Sequence, residues 1–155
     1  MTTNETTTAT ARLDYARTAP KAFRAMIALD AAAREGLDPA LVELVQIRSS
    51  QLNGCAYCLD MHVKDARRAG ENDERIYLLP VWHEAPAGVY SERERAALAL
   101  AEEITRISGG VSDEVYGRAA AHFEEKELAQ LISLCFTINA WNRINVTTRK
   151  TPGTR

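Results

Sequence analysis

The stretch Asn53-Gly54-Cys55-Ala56-Tyr57-Cys58-Leu59-Asp60-Met61-His62 decides how the chain is read. It holds two of the three cysteines and one of the three histidines. On a helix, positions 55, 58 and 62 fall within about 60° of one another around the axis, so two sulfurs and an imidazole share a face. Asn53-Gly54 before them punctuates the chain as a tight helix-to-helix turn does. Arg67-Arg68 and Gly70 beyond them are the usual close of a helix, predicted over about Cys55 to Ala69.

Outward from this segment the chain divides into further helical stretches. Pro20 to Glu35 carries Phe23, Met26 and Ile27, with Asp30-Ala31 at the next position, at helical spacing, and ends at Gly36. Asp38 is placed to cap and Pro39 to begin the next helix, with Leu41 to Leu52 as its body. Asn72 or Asp73 caps a shorter helix bearing Ile76, Leu78 and Leu79. Pro80 interrupts it, and Trp82 to Gly88 is expected to be loop.

Ser91 with Glu94 forms a capping box, opening a helix through about Ile107 that turns Ala97, Leu98, Ala101 and Ile104 inward. After Gly109-Gly110, Ser112 with Val115 begins a short helix to about Phe123. The last helix, from Glu124 or Glu125 to about Thr147, is expected to bury Leu128, Leu131, Ile132, Cys135, Phe136 and Ile138. The acid-rich Glu124-Glu125-Lys126-Glu127 suits its first turn. No stretch alternates with period two, so the fold class predicted is all-α in one domain over residues 11–150, after a disordered lead at 1–10 and before a polar tail at 151–155.

Composition bounds the function. The 155 residues are 46% hydrophobic and 26% charged, the balance of an ordinary globule, and alanine-rich stretches with few β-branched runs favour helix. A net charge of -2 gives no electrostatic ground for nucleic acid or an anionic membrane as partner. No apolar run nears the roughly 20 residues of a membrane span, and the first ten residues lack the pattern of an export signal. Three cysteines make a disulfide framework an unsuitable reading. A CxxC pair fits a reducing cytoplasm, where such pairs are catalytic or metal-binding.

Within Leu41 to Ile47, Glu43 is surrounded by apolar neighbours and has no cation three or four residues away. Its carboxylate must reach water, find a partner from elsewhere in the fold or take up a proton. His62, one turn beyond Cys58, can neighbour it, whereas Cys55 lies about 10.5 Å along the axis from His62. The helix dipole favours a thiolate at Cys55 and an adjacent imidazole favours one at Cys58, so residue spacing leaves the attacking sulfur open.

Glu43, then Cys55-x-x-Cys58, then His62 resembles the Glu…Cys-x-x-Cys-x-x-x-His signature of the AhpD-like alkylhydroperoxidase group within the carboxymuconolactone decarboxylase family. The resemblance spans about residues 20–110, and the phrase Ile138-Asn139-Ala140-Trp141-Asn142-Arg143 is similar to smaller members. It implies an all-α fold assembling as a homo-oligomer, a trimer or hexamer, that reduces organic hydroperoxides with no metal, flavin or other cofactor. It further implies Cys58 as the peroxidatic thiol, Cys55 as proton donor and resolving thiol, His62 as the base and Glu43 behind it. A dithiol, dihydrolipoyl in relatives, would restore the pair. Tyr57 stands where the group's namesake has a second histidine, and the cysteine pair departs from the decarboxylase branch.

Other readings of the same residues are a zinc site, with a fourth ligand from His83, His122, Cys135 or Glu43, and a redox-sensing or purely structural thiol pair. Cys135 is expected to pack in the core, His83 and His122 to lie at the surface or pack, and Trp82 and Trp141 to serve the core or a subunit interface, with a pocket lining as the alternative. Tyr57 either hydrogen-bonds in the site or packs.

Overall fold

The computed structural model describes residues 10–154, so most of the lead expected at 1–10 lies outside the described residues. Helices run over Tyr15–Thr18 (α1), Pro20–Arg34 (α2), Pro39–Leu52 (α3), Ala56–Arg68 (α4), Asp73–Leu78 (α5), Glu92–Arg106 (α6), Asp113–His122 (α7) and Glu125–Thr148 (α8), with a 3₁₀ segment over Leu79–Glu84. Among the described residues the only β-type pairing is an isolated bridge between Ala87 and Tyr90, so the domain is all-helical. None of these helices is long and apolar enough to cross a membrane.

The caps lie where the side chains predict them. Asp38 accepts from the Ala40 N–H with Pro39 in the first turn, Asn72 caps α5 and Ser112 caps α7. Ser91 and Glu94 satisfy one another's backbone donors at the start of α6, and Glu124 with Glu127 does the same for α8.

At the centre lies α3, buried at Leu41, Val42 and every position from Leu44 to Ser50, and packed by α4, α6 and α8. A helix apolar on nearly all sides has to be an interior helix. One side of it joins α6, α7 and α8 in a core of Val45, Leu100, Phe123, Leu131 and Leu134, among others. Its other side packs Leu44 and Ile47 against Ala66, Leu79, Trp82 and Leu98. α2 lies on α8.

Several local expectations are corrected. The Trp82 region is ordered 3₁₀ helix as far as Glu84, because Trp82 is buried and its indole N–H donates to Glu102 Oε1 at 2.8 Å. α1 went unpredicted; its four residues carry no apolar periodicity and it rests on an Asp14 cap. Phe136 is 46% exposed although its neighbours Cys135 and Ile138 are fully buried. α8 bears apolar residues around its whole circumference, so residue type alone does not choose the inward face. Ile27 is half exposed: α2 turns Phe23, Met26, Leu29 and Ala33 inward, of which only Ala33 is fully buried, and Ile27 falls beside that face.

Candidate active site

The α3–α4 turn builds the site. Gly54 takes a left-handed φ of 63°, which an L side chain rarely adopts, and Cys55 follows in extended conformation as the N-cap of α4. Cys55 is therefore outside the helix it was expected to begin. Its sulfur accepts the Cys58 N–H at 3.4 Å, in the role usually taken by a serine or aspartate oxygen. The turn is tied to α8 by Asn53, whose amide donates to Asn139 Oδ1 at 2.9 Å and to Asn142 Oδ1 at 2.8 Å.

All three residues of the motif are buried: Cys55, Cys58 and His62 expose 2% or less of their surface. Both thiols are free. Asn145 on α8 donates its side-chain N–H to Cys58 Sγ at 3.3 Å. His62 Nδ1 lies 3.0 Å from Glu43 Oε2. An ionised carboxylate only accepts, so Nδ1 carries the proton there and Nε2 is the nitrogen left to exchange one. The Glu43 partner that local sequence lacks arrives from α2: Arg34 Nη1 stands 3.7 Å from Glu43 Oε1, while its Nε donates to Asp30 at 2.8 Å.

The two sulfurs differ sharply. A hydrogen bond from the Cys55 thiol pulls the Cys58 pKa well down, to about 6; burial opposes this, and Asn145, Asn142 and the charge of His62 add to it. The same bond, together with burial and repulsion from a Cys58 thiolate, pushes Cys55 far up. A single negative charge thus rests on Cys58, with Cys55 as its proton-bearing donor. Residue spacing left open which sulfur ionises; the hydrogen bonds favour the thiolate at Cys58, for reasons partly outside the motif.

Beside His62 opens a cavity of about 310 Å³ whose wall mixes the apolar Phe23, Ile27, Met61 and Trp141 with His62, Asn145 and the charged Asp30, Arg34, Asp65 and Lys150. Trp141, edge-on to Phe23 at 5.6 Å, is therefore a wall of this cavity. Tyr57 also lines it and packs under the Lys150 ammonium, 4.4 Å from the ring centroid. Cys135 lies in the core and burial pushes its thiol up to about 12. His83 is exposed, stacked on Trp82; His122 is exposed at the end of α7. Neither these two nor Cys135 joins the site.

Arg34, Asn142, Asn145 and Lys150 are the site residues that motif reading missed. Asn139, Asn142 and Asn145 recur every three residues along α8, and that polar row was the available signal. Arg34 and Lys150 carry no comparable mark.

The family model for the carboxymuconolactone decarboxylase family matches residues 20–103. The chain is 41% identical over 137 residues to the uncharacterized protein YdfG of Bacillus subtilis (strain 168), covering 87% of this chain and 92% of that one. A crystal structure from Agrobacterium tumefaciens, of a protein of unknown function provisionally named as the antioxidant defence protein AhpD, superposes with a TM-score of 0.89 at 36% identity over 94% of this chain and all of that one. A Ralstonia eutropha JMP134 peroxidase-related protein described as an alkylhydroperoxidase AhpD core shares the fold, with a TM-score of 0.77 at 22% identity over 89% and 74% of the two chains. The chain belongs to the carboxymuconolactone decarboxylase family, in its AhpD-like group.

Proposed function

We propose that the protein is a thiol-dependent peroxidase that reduces organic hydroperoxides. The observation that carries the reading is the asymmetry of the pair: hydrogen bonds from the Cys55 thiol and from Asn145 favour the thiolate at Cys58, while the Cys55 thiol keeps its proton. That is the state a peroxidatic and a resolving cysteine need before the first step. The AhpD naming of the Agrobacterium relative agrees with it.

In the first step the Cys58 thiolate attacks a peroxide oxygen and the O–O bond breaks. The alkoxide leaves as the alcohol, taking a proton, and Cys58 becomes a sulfenic acid. In this reading His62, its Nδ1 3.0 Å from Glu43 Oε2, passes that proton. In the second step the Cys55 sulfur attacks Cys58 Sγ, water leaves with the Cys55 proton, and the disulfide closes. Its two thiols are three residues apart, so closure needs no second molecule. A dithiol then returns two electrons to the pair. The apolar part of the cavity wall, Phe23, Ile27, Met61 and Trp141, gives the alkyl or aryl group of an organic hydroperoxide a surface to pack on.

The working protein in this reading is a homo-oligomer, a trimer or hexamer, in the reducing cytoplasm, and uses no metal or other cofactor. Sedimentation as a monomer would contradict the first part, and stoichiometric zinc lost on replacing both cysteines would contradict the last. The direct test is tert-butyl or cumene hydroperoxide added to the reduced protein. The expected result is one disulfide per chain between Cys55 and Cys58, with turnover abolished in Cys58→Ser. Full activity in that variant would overturn the assignment.

A further inference from the structure

Two concave surfaces reach the cysteine pair from different sides. The cavity described above approaches through His62 and Asn145, two of the side chains that act on Cys58, and no cysteine is among its lining residues. A second depression, a groove of about 340 Å³, has Cys55 in its wall with Gly54 and Ala56, facing Val146, Arg149 and Lys150. Tyr57 and Lys150, one over the other, line both, as does Asn145. The groove therefore has one sulfur of the pair, Cys55, in its wall, and the cavity has neither.

We infer that the groove is the entry for the reducing dithiol and that its first thiolate attacks the sulfur of Cys55. The inference rests on the peroxidase reading in needing a Cys55–Cys58 disulfide to reduce. Access is the first argument, because Cys55 is the sulfur in the groove wall. Charge is the second: Arg149 and Lys150 line the groove and no carboxylate does, so a thiol entering there is favoured as its thiolate, and an anionic reductant over a cationic one. The leaving group is the third. Attack at Cys55 expels Cys58, whose thiolate is the stabilised one, and a lower leaving-group pKa speeds exchange.

The step balances as follows. The reductant's thiolate bonds to Cys55 Sγ, the Sγ–Sγ bond breaks and Cys58 departs as thiolate. The reductant's second thiol, once deprotonated, attacks its own sulfur in the mixed disulfide and closes a cyclic disulfide. Cys55 leaves as thiolate and takes up the proton. Two electrons have then passed from the dithiol to the protein pair.

The test uses the full chain oxidised with diamide, which closes the disulfide without any peroxide. Brief exposure to 2-mercaptoethanesulfonate, an anionic monothiol, is quenched with acid and N-ethylmaleimide, and the tryptic peptide of residues 49–64 is sequenced by tandem mass spectrometry. The sulfonate adduct is expected on Cys55 and the maleimide on Cys58, with the reverse pattern roughly tenfold rarer. An adduct mainly on Cys58, or equal labelling of the two, overturns the inference, as does failure of diamide to close the pair. Val146→Trp, which narrows the groove without touching the cavity, is expected to slow reduction of the diamide-made disulfide relative to oxidation by tert-butyl hydroperoxide. An unchanged ratio counts against the groove. If hydroperoxides fail to oxidise the pair while the labelling falls on Cys55, the peroxidase reading falls and the entry of the reductant stands.

Discussion

The side-chain amide of Asn145 donates to Cys58 Sγ at 3.3 Å, joining α8 to the first turn of α4 across 87 residues of chain. A donor fixed by the fold costs no reorganisation when the sulfur becomes negative, and the bond is strongest in that state. Asn145→Ala removes it and leaves the thiolate buried with one partner fewer. A hydrogen bond to a charged group contributes about 1.5–3 kcal/mol, so the Cys58 titration is expected to move up by about one to two pH units. The pH dependence of iodoacetamide labelling, read at Cys58 by mass spectrometry, checks this. An unmoved midpoint would remove Asn145 from the site.

The Cys55 thiol is the largest single influence holding the Cys58 pKa down. Cys58 labelling in the wild-type protein should therefore rise as pH passes through about 6 and level off well below pH 9. The direction follows from the anion being the reactive form and its pKa being depressed. Cys55→Ala, which cannot donate, should shift the same curve to higher pH. Cys55→Ser keeps an O–H donor and should shift it less. Coincident curves for all three proteins would contradict the pairing.

How far the site was legible follows from where its parts lie in the chain. Cys55, Cys58 and His62 are close in sequence, and a helical wheel places them together. Even so, Cys55 sits outside the helix as its cap, because Gly54 turns the chain just before it. Glu43 was recognisable as a carboxylate without local compensation, and the resemblance set it behind His62, but nothing nearby named Arg34 as its further partner. Asn145 and Lys150 come from the end of α8 and just beyond, and only the α3–α8 packing brings them to the sulfurs. Phe136 failed for the opposite reason. Apolar residues encircle α8, and the inward face is chosen by the asparagine row that meets Asn53 and Ser50.

Glu102 tests the stability of the scaffold away from the sulfurs. Its Oε1 accepts both Arg48 Nε at 2.7 Å and the Trp82 indole at 2.8 Å, and all three residues are buried. Burial pushes the Glu102 carboxyl up, but the bonds from Trp82 and Arg48 outweigh it and hold it below the usual carboxylate range. Glu102→Ala strands a buried guanidinium, a loss on the order of 3–5 kcal/mol. Urea unfolding should show a lower midpoint at unchanged slope. A midpoint equal to wild type would mean that water reaches Arg48. The lowered pKa also sets a sign: this contribution is present above the unfolded carboxylate pKa and lost as pH falls through the lower folded value.

Glu43→Gln separates the charge of the relay from its shape. The amide is nearly isosteric and can still accept from His62 Nδ1, now 3.0 Å from Glu43 Oε2, so the ring keeps its orientation. What is lost is the carboxylate charge beside the His62 ring, on which the proposed proton relay to Cys58 depends. Arg34 loses its longer contact with Glu43 but keeps Asp30 at 2.8 Å, so it remains paired. Thermal unfolding should therefore change little, while Cys58 labelling at pH 7 and hydroperoxide turnover each fall roughly tenfold, the lower end of a general acid–base contribution. Glu43→Ala, which also frees the ring, should lose more. Thiol reactivity in Glu43→Gln that matches wild type at every pH would leave Glu43 as a packing residue. A large drop in melting temperature would instead assign its role to the fold.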